Sequence, residues 1–387
     1  MSESDSLEIS IVMPCLNEAQ TLKSCIEEGL QALAENNLRG EVVIADNGST
    51  DGSPEIAAAC GARVVRVLAK GYGNALRAGI EAARGRYVLM GDADGSYNFG
   101  HVKFFVEELR KGYDLVMGNR FKGGVAPGAM PWKNHYIGNP ILSLVGRVFF
   151  RVPCKDFHCG LRAFSKEACQ KMALKTGGME FASEMVIRAT LLNMKISEIP
   201  TTLRPDGRNR PPHLRPWRDG WRHLRFMLLY SPRWLFLYPG LFFILTGLVL
   251  GARLLYGPLQ IGSAVLDVHT LFFCAIAILM GFQSVLFAVM TKVFAIQNEL
   301  VPPDGTFKKV MKFVSLEAGL VLGGIALVLG FLGAFAAVFQ WGGGGFGELS
   351  PREVLRLVIP GGSLLALGVQ IILGSFFLSI LNLKIFK

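Results

Sequence analysis

Ile9-Ser10-Ile11-Val12-Met13-Pro14-Cys15-Leu16-Asn17-Glu18 decides the fold. A short apolar run is stopped by a proline, a polar stretch follows, and residues 18–33 then carry apolar side chains at helical spacing. A strand that feeds a helix through a polar loop is the repeating unit of sheets with parallel strands. The alternation continues along the chain. Residues 41–45, 63–67, 87–90 and 114–117 read as strands, with helical stretches at 54–60, 74–83 and 102–109 between them. The expected fold is α/β, built on a largely parallel sheet.

Such sheets bind ligands beyond the carboxyl ends of their strands, so those ends carry the functional signal. They read Pro14-Cys15-Leu16-Asn17-Glu18, Asp46-Asn47-Gly48-Ser49-Thr50-Asp51, Asp92-Ala93-Asp94-Gly95 and Gly118-Asn119-Arg120. Three of the four bear carboxylates, which repel a phosphate unless a cation joins them. Asp92 and Asp94, two residues apart just past a strand, can converge on one hard divalent cation. Mg²⁺ or Mn²⁺ would bridge them to the oxygens of a diphosphate, and the matching chemistry is departure of a nucleoside diphosphate. An isolated Asp-x-Asp more often marks a turn; its place beside the other polar strand ends favours the metal. The dinucleotide fingerprint and the P-loop are both missing from the sequence. Gly71-Tyr72-Gly73, before a helix, either brings backbone close to a phosphate or is a plain turn.

Of the 387 residues, 51% are hydrophobic, which excludes a disordered or fibrous chain, but the apolar content is uneven. Residues 231–387 hold ten of the 40 Lys and Arg and six of the 30 Asp and Glu. Four apolar runs lie there, at 235–255, 268–291, 316–341 and 357–383, each long enough to cross about 30 Å of hydrocarbon as a helix. Basic residues flank the start of the first run, the link from the second to the third (Lys292, Lys308, Lys309, Lys312) and the tail (Lys384, Lys387). The positive-inside rule therefore expects both termini in the cytoplasm. Residues 1–8 are polar and acidic and 9–14 too short for a signal peptide, so the first domain is expected to stay inside. Seven scattered cysteines suit a reducing compartment better than a disulfide framework.

Together the strand ends resemble family 2 glycosyltransferases, whose fold is the nucleotide-diphospho-sugar transferase (GT-A) fold. The resemblance rests on residues 9–14 with Asn17 and Glu18, on 42–51, on 73–79 and on Asp92-Ala93-Asp94. Beyond Asp94 it narrows to the polyprenyl-phosphate branch, the dolichyl-phosphate mannose and glucose synthase type, through 118–124, 156–164, 198–200 and 204–210. It implies that Pro14, Asn17, Glu18 and Asp46 surround the nucleotide, with Gly73 and Ala93 against the nucleotide sugar. Asp92 and Asp94 would hold Mg²⁺ or Mn²⁺, with Arg120 and Arg204 beside them as catalytic groups. Arg120, His135, Arg204 and Arg210 would meet the acceptor phosphate. The chain departs from the family pattern at Asn47, Ser96, Asn209, Arg210 and His135.

The implied reaction is inverting transfer of a hexose from UDP-glucose or GDP-mannose to an undecaprenyl or dolichyl phosphate at the cytoplasmic membrane face, with UDP-glucose slightly preferred on resemblance. The expected organisation is a catalytic domain at 1–212, a basic amphipathic segment at 213–233 and a membrane domain at 234–387. Seven Arg and two Asp between 204 and 225, interleaved with Trp217 and Trp221, suit a helix lying in the bilayer interface rather than on nucleic acid. Glycines in the last two runs permit helix packing or homo-oligomers. Two other functions fit less of the sequence. A processive polysaccharide synthase lacks its Q-x-x-R-W signature here, and an inactive scaffold has no need of Asp92, Asp94, Arg120 and Arg204.

Overall fold

Strand β1 (Ile9–Cys15) is buried on both faces over nearly its whole length. That is the state of a strand inside a parallel sheet covered by helices on each side. The computed structural model describes residues 7–208, 216–298, 300–302, 305–311, 314–343, 345–347 and 351–382. Arg210 and the tail lysines 384 and 387 lie outside them. The chain divides into two units, one ending at Met227 and one beginning at Leu228.

In the first unit β1 is followed by α1 (Leu22–Glu35), β2 (Gly40–Asp46), α2 (Ser53–Ala59), β3 (Arg63–Arg66), α3 (Tyr72–Ala82), β4 (Tyr87–Met90), α4 (Val102–Arg110) and β5 (Leu115–Asn119). Helix α1 buries Leu22, Cys25, Ile26, Gly29, Ala32 and Leu33, the 3–4 spacing that puts one stripe against the sheet. A single turn, α5 (Arg120–Gly123), leads toward α6 (Asn139–Phe150); then come β6 (Arg162–Ser165), α7 (Lys166–Met172), α8 (Phe181–Leu191), β7 (Ile196–Pro200) and α9 (Pro216–Tyr230). The strands form a seven-stranded sheet among the described residues, in the order β3-β2-β1-β4-β6-β5-β7. Strand β6 pairs antiparallel with both β4 and β5, and the other described pairings of the sheet are parallel. The expected α/β class and the five expected strands are present. Strands β6 and β7 carried no comparable signal, because each is short and holds a charged residue, Arg162 or Glu198, where an apolar run would mark a strand.

Pro14 is tolerated in a central strand because β4 stops opposite Val12, so no ladder bond is asked of position 14 on that side. This early stop leaves the chain free to turn at Gly91 and carry Asp92 and Asp94 across the end of β1.

Helix α9 buries His223, Phe226 and Met227 while Trp221, Arg222, Arg225 and Leu229 stay exposed. Ser183 of α8 and His223 share a 2.8 Å hydrogen bond. Part of the face expected to meet lipid is therefore covered by the chain's own first unit.

In the second unit, four helices among the described residues are long and apolar enough to cross a membrane: Arg233–Leu255, Val268–Gln297, Leu316–Gly343 and Arg352–Asn382. They correspond to α10 (Tyr238–Leu255, preceded by a short π-helical turn), α11 (Val268–Gln297), α13 (Leu316–Gly343) and α14 (Pro351–Asn382), with a short α12 (Gly305–Met311) between the second and third. A small hairpin, β8 (Leu259–Ile261) with β9 (Ala264–Leu266), joins the first pair. Helix α14 starts earlier than its apolar run suggests. Asp267 at the head of α11 pairs with Arg356 at 2.6 Å and Arg352 at 3.4 Å, so its charged first turn is neutralised by a neighbouring helix.

Helices α13 and α14 meet through small residues. A side chain at Gly323 would lie 2.5 Å from Ile372 Cγ1 and 2.9 Å from the Gly368 carbonyl, and one at Gly330 only 2.8 Å from Leu365. Gly324 faces open space. Gly323→Leu should part the helices and lower stability by about 1–3 kcal/mol, seen as a lower thermal midpoint in detergent. Gly324→Leu is the control, and equal midpoints for the two variants would refute this packing.

Candidate active site

The two carboxylates past β4 are oriented by different neighbours. Asp92 Oδ1 accepts the hydroxyl of Tyr72 from the start of α3 at 3.0 Å. Its Oδ2 lies beside Gly160, where a side chain would come within 3.1 Å of it and 2.8 Å of the Tyr97 hydroxyl. Asp94 Oδ1 accepts both the N–H and the hydroxyl of Ser96, at 3.0 and 2.6 Å. The remaining oxygen, Oδ2, pairs with Arg208 Nη2 at 3.2 Å, while Arg208 Nε donates to Glu18 Oε2 at 2.9 Å. Glu18, Asp92, Asp94 and Arg208 thus form one charged cluster at the ends of β1 and β4. Burial, and then the adjacent Asp94 carboxylate, push the Asp92 carboxyl up to about 6, with the Tyr72 hydroxyl and Arg208 pulling the other way.

Backbone contacts hold the cluster in register. The Thr21 hydroxyl donates to the Ala93 carbonyl at 2.7 Å. From the other side, the Arg204 N–H donates to the Ser96 carbonyl and the Gly207 N–H to the Asp94 carbonyl, at 2.8 and 2.9 Å. Residues 204–208 are therefore laid along the Asp-Ala-Asp loop.

The expected nucleotide side is a folded loop. Asp46 accepts the N–H groups of Gly48 and Ser49, both at 3.1 Å, closing an Asx-type turn past β2. Asn17, at φ 58°, accepts the Thr50 N–H at 2.8 Å, and its own N–H donates to the Ser49 hydroxyl at 2.9 Å. The loops after β1 and β2 are locked together in this way, with Pro14 half-buried at the base. Asn47 shows why an amide stands there. Its Nδ2 donates to the carbonyls of Val67 and Ala69 while its Oδ1 accepts the Gly71 N–H at 2.7 Å, and a carboxylate could not make the first two bonds. Gly73 has a packing role. A Cβ there would stand 2.5 Å from the Thr176 carbonyl and 2.8 Å from Phe181.

The expected phosphate ligands among the described residues each have a partner within the protein. Arg120 is buried and forms two 2.8 Å bonds to Asp156, from Nε and Nη2, and its N–H donates to the same carboxylate at 2.9 Å. Burial disfavours its charge, but Asp156 more than compensates and holds its pKa well above the usual arginine value. Arg120 thereby anchors the 156–160 segment. Arg204 is largely exposed and forms an ion pair with Glu28 at 3.2 Å. His135 packs edge-on against Phe121, ring centroids 5.5 Å apart, among the exposed side chains of Trp132, Tyr136 and Ile137. Glu184 is buried and accepts the N–H groups of Lys175 and Thr176, a loop-holding role.

Arg208, Tyr72 and Asp156 were not singled out from sequence for these contacts. Arg208 was one of seven arginines in its stretch, and nothing local distinguishes it from the others.

The first unit matches the model of glycosyl transferase family 2 over residues 10–173, and the second matches the glycosyltransferase family 2 C-terminal transmembrane region over residues 289–382. The low-salt glycan biosynthesis hexosyltransferase Agl6 of Haloferax volcanii is 37% identical over 377 residues, covering 97% of this chain and 89% of that protein. The chain belongs to glycosyltransferase family 2. It is a membrane-integral glycosyltransferase with a GT-A fold. The dolichyl-phosphate hexose transferase of Haloferax volcanii is 29% identical over 204 residues, 53% of this chain and 86% of that one. Among solved structures, glucosyl-3-phosphoglycerate synthase from Mycobacterium tuberculosis with Mn²⁺, uridine diphosphate and glucosyl-3-phosphoglycerate aligns with TM-score 0.44 and 23% identity, over 58% of this chain and 78% of that one.

Asp156→Ala would leave the buried guanidinium of Arg120 unpaired, at a cost of about 3–5 kcal/mol. The glycosyltransferase should then show a markedly lower thermal midpoint, with Asp156→Asn intermediate. An unchanged midpoint for the alanine variant would rule out the anchoring role.

Proposed function

We propose that this glycosyltransferase transfers a hexose from a nucleotide sugar to a polyprenyl monophosphate at the cytoplasmic membrane face, with inversion at the anomeric carbon. The observation that carries this reading is the Asp92–Asp94 pair at the strand ends, in a chain whose second unit consists of membrane-spanning helices. The names of the two Haloferax relatives, a glycan biosynthesis hexosyltransferase and a dolichyl-phosphate hexose transferase, point the same way.

The donor set of the cluster is entirely oxygen. Among the described residues no three His, Cys, Asp or Glu side chains are placed to hold one metal ion together, so donor oxygens and water would complete the shell, the habit of Mg²⁺ in phosphate sites. Asp92 and Asp94 would hold Mg²⁺ or Mn²⁺. When bound, the ion would offset charge on the departing diphosphate. The chain's own residues do the rest in this reading. Asn17, Glu18 and Asp46, with Pro14 beneath them, frame the base and ribose, and Gly73 and Ala93 hold the backbone around the donor. Arg120 keeps the 156–160 segment against Asp92. Arg204 and Arg210 meet phosphate, and His135, set among exposed Trp132, Tyr136 and Ile137, meets the acceptor where its prenyl chain leaves the bilayer.

A phosphate monoester is mostly dianionic at neutral pH, its second pKa lying near ~6, so no side chain has to take a proton from it. An acceptor oxygen attacks C1 from the face opposite the leaving group. The C1–O bond breaks, and its electron pair leaves on the nucleoside diphosphate. The basic residues before the first span and in the link after the second favour a cytoplasmic catalytic domain with both termini on the same side.

The test is incubation of the full chain in nanodiscs with Mn²⁺ or Mg²⁺, undecaprenyl or dolichyl phosphate, and a panel of UDP- and GDP-sugars. One glycosyl-phosphoryl-polyprenol from one donor is expected by mass spectrometry; growth of long glycan chains would replace this reading with a polysaccharide synthase. Asp94→Asn should lower kcat by about 100-fold or more. Metal binding also has a sign in pH. The cation needs Asp92 ionised, so its apparent affinity should fall about tenfold per unit below pH ~6 and level off above it. Affinity independent of pH between 5 and 7 would remove Asp92 from the metal site.

A further inference from the structure

Arg208 pairs with Asp94, one of the two residues that would hold a metal. With Asp94 Oδ1 used twice by Ser96, Oδ2 is the free acceptor of that carboxylate, and Arg208 Nη2 holds it at 3.2 Å. The other branch of the guanidinium holds Glu18 at 2.9 Å. All three side chains are largely shielded, with exposures of 11% for Arg208, 6% for Glu18 and 13% for Asp94. Arg208 is delivered there by its backbone, since Gly207 is bonded to Asp94 and a Cβ on Gly207 would stand 2.9 Å from Thr21 Cγ2. Its planar fork suits this bridging, because two donors on one rigid group reach two carboxylates at once.

We propose that Arg208 is a resident counter-ion of the donor site, displaced from Asp94 by the incoming divalent cation and then turned onto the diphosphate while it keeps its bond to Glu18. The proposal rests on the metal-dependent transfer described above. Without a donor, Glu18, Asp92 and Asp94 would repel one another, and the Arg208 guanidinium relieves part of that repulsion. A divalent ion carries twice its charge and would displace it from Asp94. The freed Nη2 then needs an anion, and the diphosphate brings one. Metal alone must pay for the displacement, whereas metal with nucleoside diphosphate gives Arg208 a new partner. Binding of the two is therefore coupled.

The experiment uses the full chain in nanodiscs and counts free Mn²⁺ by electron paramagnetic resonance, with and without UDP or GDP. For the wild-type chain, the nucleoside diphosphate should tighten Mn²⁺ binding by about tenfold or more. In Arg208→Ala, Mn²⁺ alone should bind about tenfold more tightly, because its internal competitor is gone, while UDP or GDP should bind about tenfold more weakly. Arg208→Lys keeps the charge without the fork and should fall between the two, which also decides the matter should the alanine variant fail to fold. Mn²⁺ binding that is unchanged or weaker in both variants would overturn the proposal and leave Arg208 as a brace. Asp94→Asn separates the two levels. If the wild-type chain shows no Asp94-dependent Mn²⁺ binding with either nucleotide, the metal-dependent reading falls and takes this inference with it. If that binding exists but Arg208→Ala does not tighten it, only the counter-ion inference falls.

Discussion

Carboxylates gathered at the ends of adjacent strands repel one another, and the first unit is arranged around containing that repulsion. Each acid has a separate answer: a tyrosine hydroxyl for Asp92, a serine N–H and hydroxyl for Asp94, and a guanidinium for Glu18 that reaches Asp94 as well. These answers come from the start of α3, from the loop itself and from the segment after β7. The charged cluster therefore ties together parts of the chain that lie far apart in sequence. The Asp92 carboxyl is nevertheless held up to about 6, first by its burial and then by the neighbouring Asp94 carboxylate.

Close approach is the second constraint around the site. Gly73 sits against the Thr176 carbonyl and Gly160 against the Tyr97 hydroxyl beside Asp92, and a Cβ at either position would come within 3.0 Å of its neighbour. Asn47 and Ser96, two departures from the family pattern, have local reasons. The amide of Asn47 donates to two carbonyls that an aspartate would repel, and Ser96 donates twice to one oxygen of Asp94. Arg120 satisfies a buried carboxylate, which fits an anchor better than a free phosphate ligand.

The membrane unit obeys a different solvent. Apolar side chains point outward along its helices, and the contacts that join α13 to α14 run through glycines where backbones come close. Among the described residues of the four long helices, charge lies toward the helix ends, and Asp267 pairs there with Arg352 and Arg356.

Composition and periodicity are local properties, and what depends on them was legible in the sequence: the alternating strands and helices of the first 119 residues, the four long apolar runs and the Asp-x-Asp at a strand end. Strand β6 was not legible, because Arg162-Ala163-Phe164-Ser165 is held in the sheet by two neighbours rather than by its own pattern. Nor was the choice among the arginines. Arg208 and Glu18 are 190 residues apart, Arg120 and Asp156 are 36 apart, and which cation meets which carboxylate is settled only when the sheet brings their loops together. The sequence by itself determined the alternation of strands and helices, the long apolar runs and the polar residues at the strand ends, since those follow from side-chain polarity along the chain. The tertiary structure decided which charges are free and which are spent, since electrostatic partnership depends on distance in space.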